Sequence, residues 1–504
     1  MATSRSPLSG WTTGVLVALA AALTVASSPP IGIAPLAFAM LAPLVAALDG
    51  RRARDGWLLA YAYHVAMAVG IVRWLVHPMV HEYGLSAPPA WLFTVLLVAA
   101  YSAIPATAAA LYCALRPRLH PAAAPLVFAA LWSLAEWLRS EPGGLPWLLT
   151  AHPLFGFPLA IQTAALGGVY AVGFVVAALS AALGIALVRR TPIPLVLPAL
   201  LGLCALAYGA REIDRVASPG DAIRAGLVQA SVPQRERFTA GSAERNVRRH
   251  IELTRALAAT QPLDLAIWSE TSVDTDLDAT PRLGDALARL AREIGAPVVT
   301  GAPRSAHGRR TNAVVLVTPQ RGVAESYDKQ VLVPFSEFDP VGGSLLRPLL
   351  GPVMAGEPYE AGLAATVFRQ SPVALATPVC FEITYPALMR RFRSNGARLL
   401  VNLSNDAWFG RTGYSELHFA HAVFRAVELR SWVLRVANTG VSGVIDPTGR
   451  IVATLPTFEE ATLVAQVHAA GPPPFYARFG DGPVLAALSA VTLVGALASR
   501  AVAV

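Results

Sequence analysis

"SYDKQVLVPFSEF", residues 326–338, contains the one lysine of a 504-residue chain. All the other members of its 40 Lys+Arg residues are arginines. A chain so biased lets a guanidinium serve wherever a positive charge will do. Lys329 is therefore there either by chance or because the position needs a compact ammonium with rotatable donors, which a planar fork cannot imitate.

Composition limits the setting of that lysine. Hydrophobic residues make up 54% of the chain and charged residues 14%, too apolar for an ordinary soluble protein of this length. The apolar residues are segregated. Long uncharged stretches run from Gly10 to Tyr208, a normal globular composition from Asp221 to about Tyr476, and a last apolar run from Pro483 to Ser499. Length and hydropathy predict about eight membrane spans, at 10–27, 31–48, 56–75, 89–115, 121–138, 160–188, 193–209 and 483–499. The small residues of "ALTVASS" (22–28) resemble a cleavage site, but the spans that follow favour an uncleaved first helix.

Loop charge predicts the orientation. One set of span ends carries Arg5, Arg51, Arg52, Arg54, Arg116, Arg118, Arg189, Arg190 and Arg500, whereas the alternate short loops carry only Arg73 and Arg139. The positive-inside bias then puts both termini in the cytoplasm and the globular domain outside, in the periplasm of a Gram-negative cell. Trp11, Trp57, Trp74 and Trp91 fall at span ends, as interfacial anchors do. The net charge of +8 follows largely from this loop bias and gives no reason to expect nucleic acid. "QRERFTAGSAERNVRRH" (234–250) reads as a solvated helix face.

The domain organisation expected is a transmembrane domain over 1–210, a catalytic domain over 221–476 and a C-terminal transmembrane helix over 483–499. In the outer domain strand and helix signals alternate. Strands are expected at 223–232, 263–270, 296–303, twice around 312–333, at 372–382 and 397–406, and as a hairpin over 433–455. Helices are expected at 243–259, 282–294, 385–395 and 416–431. The pattern is α/β, a layered sandwich of mixed strands with helices outside.

Three cysteines are present. Cys113 and Cys204 lie in spans and read as small apolar residues. Cys380 is alone in the outer domain, where an oxidising compartment favours paired cysteines or none. It ends the strand "TPVCFE" before a helix start, a setting that lowers a thiol's pKa. A thiol nucleophile needs a base, yet none of the histidines in the outer domain has the setting of a cysteine protease. His418 and His421, spaced i and i+3, lack the carboxylate pair of a metal site. Glu270 ends the strand "LAIWSE". With Lys329 and Cys380 it gives a base, a cation for a developing oxyanion and a thiol on three strand ends.

Glu, Lys and Cys on "WSET" (268–271), "YDKQVLVPFSEF" (327–338) and "PVCFE" (378–382) resemble the nitrilase, or carbon–nitrogen hydrolase, superfamily. Joined to the spans, the chain resembles its apolipoprotein N-acyltransferase family throughout, including "NLSNDAWFG" (402–410) and "RVANTGVSGVIDPTG" (435–449). The resemblance implies an αββα sandwich carried by the polytopic helical domain, in the bacterial inner membrane. It implies catalysis by Glu270, Lys329 and Cys380, with Glu337, Phe381 and Glu382 supporting and Phe238 and Trp408 binding substrate. The family's usual tyrosine after the cysteine is Phe381 here, and its tryptophan after the first strand is matched by Phe238. The implied reaction moves an acyl chain from a membrane phospholipid, through a cysteine thioester, to the amine of a diacylglyceryl-cysteine of an apolipoprotein. It requires no cofactor and no metal, and the expected enzyme is a monomer. A membrane-tethered amidase or nitrilase is the alternative, followed by a non-enzymatic membrane protein with a degenerate domain. The apolar, Gly- and Pro-punctuated stretch 338–354 reads as a lid dipping into lipid, which favours the acyltransferase.

Overall fold

The computed structural model describes residues 9–216, 222–237, 239–306, 308–338 and 358–501. The chain divides into two compact units, one formed by residues 1–73, 91–215 and 479–504 and the other by 74–90 and 216–478.

Five helices among the described residues are long and apolar enough to cross a membrane: Gly10–Ser27, Ala53–Glu82, Ala87–Arg118, Ala164–Arg189 and Ile193–Arg215, most of whose residues belong to the first unit. The stretch 31–48, expected as one span, breaks into a 3-10 turn (Ala34–Phe38) and a seven-residue helix, Ala42–Leu48, with proline in the first turn of each. At 1.5 Å per residue the latter is roughly 10 Å long, a third of a bilayer core. The stretch 121–138 forms Ala124–Ser140, whose inner face buries Glu136 and Arg139. Arg139 donates to the carbonyls of Leu145, Trp147 and Leu148, so its charge is fully engaged.

The second unit holds twelve strands among the described residues, in two six-stranded sheets. The first has the order β12 (Ala461–Val467), β1 (Ile223–Gln229), β2 (Leu265–Trp268), β3 (Val298–Ala306), β4 (Arg309–Thr318), β5 (Gly322–Asp328). The second has the order β11 (Ile451–Thr454), β10 (Gly443–Ile445), β9 (Val433–Ala437), β8 (Leu399–Ser404), β7 (Leu375–Ala376), β6 (Val367–Phe368). Pairs β1–β2, β2–β3, β7–β8 and β8–β9 are parallel. Strands β2, β7, β8 and β9 are buried along their whole length and mostly apolar, as strands covered on both faces are. Helices Ser242–Thr260 and Pro281–Ile294 pack on the first sheet, Tyr414–Leu429 on the second, and β1 meets β9 between the sheets. This is the nitrilase-like sandwich. Strands β6 and β12, short or at a sheet edge, are additions to the expected set.

His250 is 1% exposed in the helix Ser242–Thr260, and its Nδ1–H donates to the carbonyl of Asn246 at 2.7 Å. Burial, relieved in part by that bond, pushes its pKa from 6.5 down to about 4. An unfolded histidine takes up its proton near pH 6.5 and the folded one resists until about pH 4. Stability is therefore expected to fall by roughly 3 kcal/mol as pH drops through that window. Unfolding midpoints measured from pH 7 to 4 should decline more steeply in the wild type than in His250→Asn. Identical slopes would refute neutral burial.

Candidate active site

The parallel strands end on one rim, the usual position of sites in α/β sheets. Glu270 lies two residues beyond β2 and is 6% exposed. Its Oε1 accepts from Asn312 Nδ2 at 2.9 Å and Lys329 Nζ at 3.5 Å, and its Oε2 from the Asn405 N–H at 2.8 Å. This close approach of the Glu270 backbone needs Gly301 on β3, where a Cβ would lie 2.4 Å from Thr271 N and 2.8 Å from Glu270 Cα.

Lys329 follows β5 directly and is 1% exposed. Its Nζ lies 2.9 Å from Glu337, and its backbone is pinned by Asn312 and Gly362. Burial disfavours the charged ammonium, but the carboxylates of Glu337 and Glu270 and the Cys380 sulfur outweigh it, so the pKa is held above the ordinary value. Glu337 also accepts from Asn312 Nδ2 and the Val333 N–H. One amide, Asn312, thus ties both carboxylates to the same ammonium.

Cys380 is 7% exposed and takes φ = 49°. That left-handed value is uncommon for a residue with a side chain, and here it marks a sharp turn out of β7. Glu382 holds the turn: it is fully buried, accepting from the Val379 N–H on one side and from Tyr327 Oη and the Gln330 and Val331 N–H groups on the other. The Cys380 turn is thereby tied to the strand end that presents Lys329. Burial pushes the Cys380 thiol well up, Glu270 adds to the rise, and Lys329 opposes it. This corrects the lowered thiol pKa expected at a helix start. The helix that follows is a five-residue 3-10 turn, too short to offset burial beside a carboxylate. The thiol is protonated at rest and needs a base.

Beneath Cys380, His418 Nε2–H donates to its carbonyl at 3.0 Å while Nδ1 faces Arg435 Nη2 at 3.0 Å. Burial and the Arg435 charge push the His418 pKa down to about 4. Asp406 accepts from Arg435, Ser404 and Ser415; burial works to raise its pKa, but Arg435 and His418 hold it well below the carboxylate range. Cys380, Asp406 and His418 offer ligand-type atoms within 4.8 Å of one another. The Arg435 guanidinium already fills the space a cation would take, and both histidine nitrogens are engaged, so this donor set does not suit a metal.

Comparison with known proteins decides the family. The apolipoprotein N-acyltransferase N-terminal domain matches residues 20–182, and the carbon-nitrogen hydrolase domain matches 224–471. The chain is 32% identical to the apolipoprotein N-acyltransferase of Geobacter metallireducens, covering 97% of this chain and 94% of that protein. This chain belongs to the apolipoprotein N-acyltransferase family. It is also 31% identical to the Pseudomonas aeruginosa apolipoprotein N-acyltransferase over 97% of this chain and 96% of that protein. Among solved structures, an amidase of the nitrilase superfamily from Nesterenkonia AN1 aligns with 18% identity and a TM-score of 0.39, over 50% of this chain and 92% of its own.

In this member of the N-acyltransferase family, Lys329 contacts both Glu270 and Glu337, and Cys380 lies within the electrostatic reach of Glu270 and Lys329. Phe381 is half-buried and packs edge-on against Tyr385, ring centroids 5.1 Å apart. Trp408 stands apart from the ion pairs. It stacks on Tyr83 (5.4 Å, 19°), whose hydroxyl lies 2.8 Å from Ser336 Oγ. Tyr83 comes from the segment 74–90, whose Trp74 also lies edge-on to Phe409 and Tyr414. Phe238 and nearly all of the expected lid, 338–354, lie outside the described residues. Sequence reasoning missed Asn312, Asn405 and the Asp406–Arg435–His418 network. Asn405 and Asp406 sit within the quoted "NLSND", while the signal for Asn312 is a lone amide heading the apolar run "AVVLV".

Proposed function

We propose that this protein transfers an acyl chain from a membrane phospholipid, through a thioester on Cys380, to the N-terminal amine of a diacylglyceryl-cysteine in apolipoproteins. The observation that carries the reading is the buried Glu270–Lys329 pair within electrostatic reach of the buried Cys380, in a chain matching N-acyltransferases over nearly its whole length. Glu270 takes the thiol proton as Sγ attacks the ester carbonyl. Lys329 and the Phe381 backbone N–H stabilise the tetrahedral oxyanion. The ester C–O bond breaks, Glu270 returns the proton to the leaving lyso-phospholipid oxygen, and a thioester remains. The lipoprotein amine then attacks and Glu270 accepts its proton. As the C–S bond breaks, that proton returns to the thiol.

Glu337 holds Lys329 in place, Glu382 fixes the Cys380 turn, and Phe238 and Trp408 contact substrate. The enzyme works as a monomer in the bacterial inner membrane, its catalytic unit in the periplasm and both termini cytoplasmic. The alternating arginine bias of the loops supports that orientation.

Purified protein incubated with phospholipid should gain the mass of one acyl group on the Cys380 peptide, released by hydroxylamine. Absence of the adduct, with the protein folded, would overturn the reading. Phe381→Tyr keeps the ring and adds a hydroxyl at a half-buried edge, so acyl-transfer rates should stay within about threefold, a surface-like effect below 1 kcal/mol. A drop of two orders of magnitude would mean that the site excludes the hydroxyl.

A further inference from the structure

Arg237 lies within the loop between β1 and the helix Ser242–Thr260, directly after the 3-10 turn Gln234–Glu236. Its side chain is 4% exposed, and nothing in the proposed reaction asks for a cation there. A guanidinium is buried this deeply only where acceptors and opposite charge surround it. Its Nη2 donates to the carbonyl of Thr271, and its charge faces Asp274, Glu270 and Tyr359. Its Nε is buried with no hydrogen-bond partner among the described residues.

Thr271, directly after Glu270, has φ = 50°. A β-branched residue rarely enters that region, and strain of this kind persists only where the surroundings impose it. Two neighbours impose it here. Gly301 lets the backbone approach from one side, since a Cβ would lie 2.4 Å from Thr271 N. Arg237 grips the Thr271 carbonyl. The same loop reaches Glu270 by a second route: Gln234 Oε1 accepts from Asn405 Nδ2 at 2.9 Å, and the Asn405 N–H donates to Glu270 Oε2 at 2.8 Å. Charge points the same way. Lys329 stands at 2.9 Å from Glu337 but 3.5 Å from Glu270, which leaves room for a second cation in the field of Glu270.

We propose that Arg237 is a positioning residue for Glu270, pinning the strained Glu270–Thr271 turn and facing the carboxylate so that it stays aimed at the Cys380 thiol. The inference rests on the role of Glu270 as base proposed above. The other ionisable groups in this field are Lys329, Glu337, Asp274, Tyr359, Tyr414, Cys380 and His250, and none of them touches the Thr271 carbonyl in the hydrogen bonds described.

The test uses the full chain in detergent, with Arg237→Gln and Arg237→Lys compared to the wild type. Thioester formation from phospholipid is followed in single turnover against pH. For a folded Arg237→Gln, the rate at neutral pH should fall about 10²-fold, the effect of a misplaced reacting group. Its acid limb should move to higher pH, because a carboxylate that loses a neighbouring cation holds its proton more tightly. The lipid KM should be unchanged. Arg237→Lys keeps the charge and gives up the fork. It should lose about tenfold, the worth of one charge-assisted bond, with the acid limb unmoved. A wild-type rate in Arg237→Lys, or an unmoved acid limb in a folded Arg237→Gln, overturns the proposal. If the glutamine variant does not fold, the lysine variant decides alone. Alkylation of Cys380 by iodoacetamide over the same pH range needs no lipid. A wild type that forms no thioester therefore sinks the acyl-transfer reading, while the alkylation limb still decides the role of Arg237.

Discussion

Cys380→Ala is expected to leave a folded protein that forms no acyl adduct and does not N-acylate a diacylglyceryl lipopeptide. The side chain is small, and its neighbours are tied by other bonds: His418 and Asn402 hold the Cys380 carbonyl, and Glu382 holds the turn. Alanine keeps all of these and loses only sulfur, so thermal unfolding should stay within a few degrees of the wild type. Loss of a covalent nucleophile typically costs at least about 10⁴ in rate, and no other thiol in the second unit could substitute. Cys380→Ser should be nearly as impaired and should form no hydroxylamine-labile adduct. Triacylated lipopeptide produced by Cys380→Ala, followed by mass shift of the product, would show that acyl transfer bypasses this residue.

Lys329→Arg is the second large effect, although charge is preserved. The ammonium sits 1% exposed between two carboxylates, with Asn312 bonded to both of them. A guanidinium is wider, cannot be compacted, and presents its donors in one plane. To fit, it must displace Glu270, Glu337 or the thiol, and each displacement moves the oxyanion donor away from the position where charge develops. Removal of one such donor costs about 10²–10³ in rate, so a loss of at least that size is expected in proteoliposomes. Thermal stability measured alongside separates misfolding from chemistry. A well-folded Lys329→Arg at near wild-type rates would return the single lysine to chance.

Much of the sandwich was legible because its central strands are buried, mostly apolar runs and the helices Ser242–Thr260 and Pro281–Ile294 are amphipathic. "LDLAIWSE" and "ARLLVNLSND" need no tertiary information to read as covered strands. The two-residue strand β6 is below the length at which periodicity means anything, and β12 alternates too weakly to announce itself. In the membrane unit, hydropathy reports apolar length but not continuity, so the break within 31–48 was invisible. At the site, the single lysine, the lone cysteine of the outer domain and a glutamate ending an apolar strand stood out as candidates. Their setting could not be read. Whether a thiol is raised or lowered depends on how much water the fold removes, and that is absent from local sequence. Asn312 escaped because its role comes from a register, Asn312 opposite Pro303, set by strand pairing.

The inclusion of residues 74–90 in the second unit bears on how this enzyme can be dissected. The region 216–478 invites excision as a soluble fragment with a short tether trimmed at each end. Such a fragment would carry Trp408, Phe409 and Tyr414 without the rings of Trp74 and Tyr83 that cover them. A bare aromatic surface of that kind favours self-association, and Gly410 would lose the His77 ring that fills the space where its Cβ would be. A soluble version would have to graft the missing seventeen residues back through a designed linker, so that the rings of Trp74 and Tyr83 keep their partners.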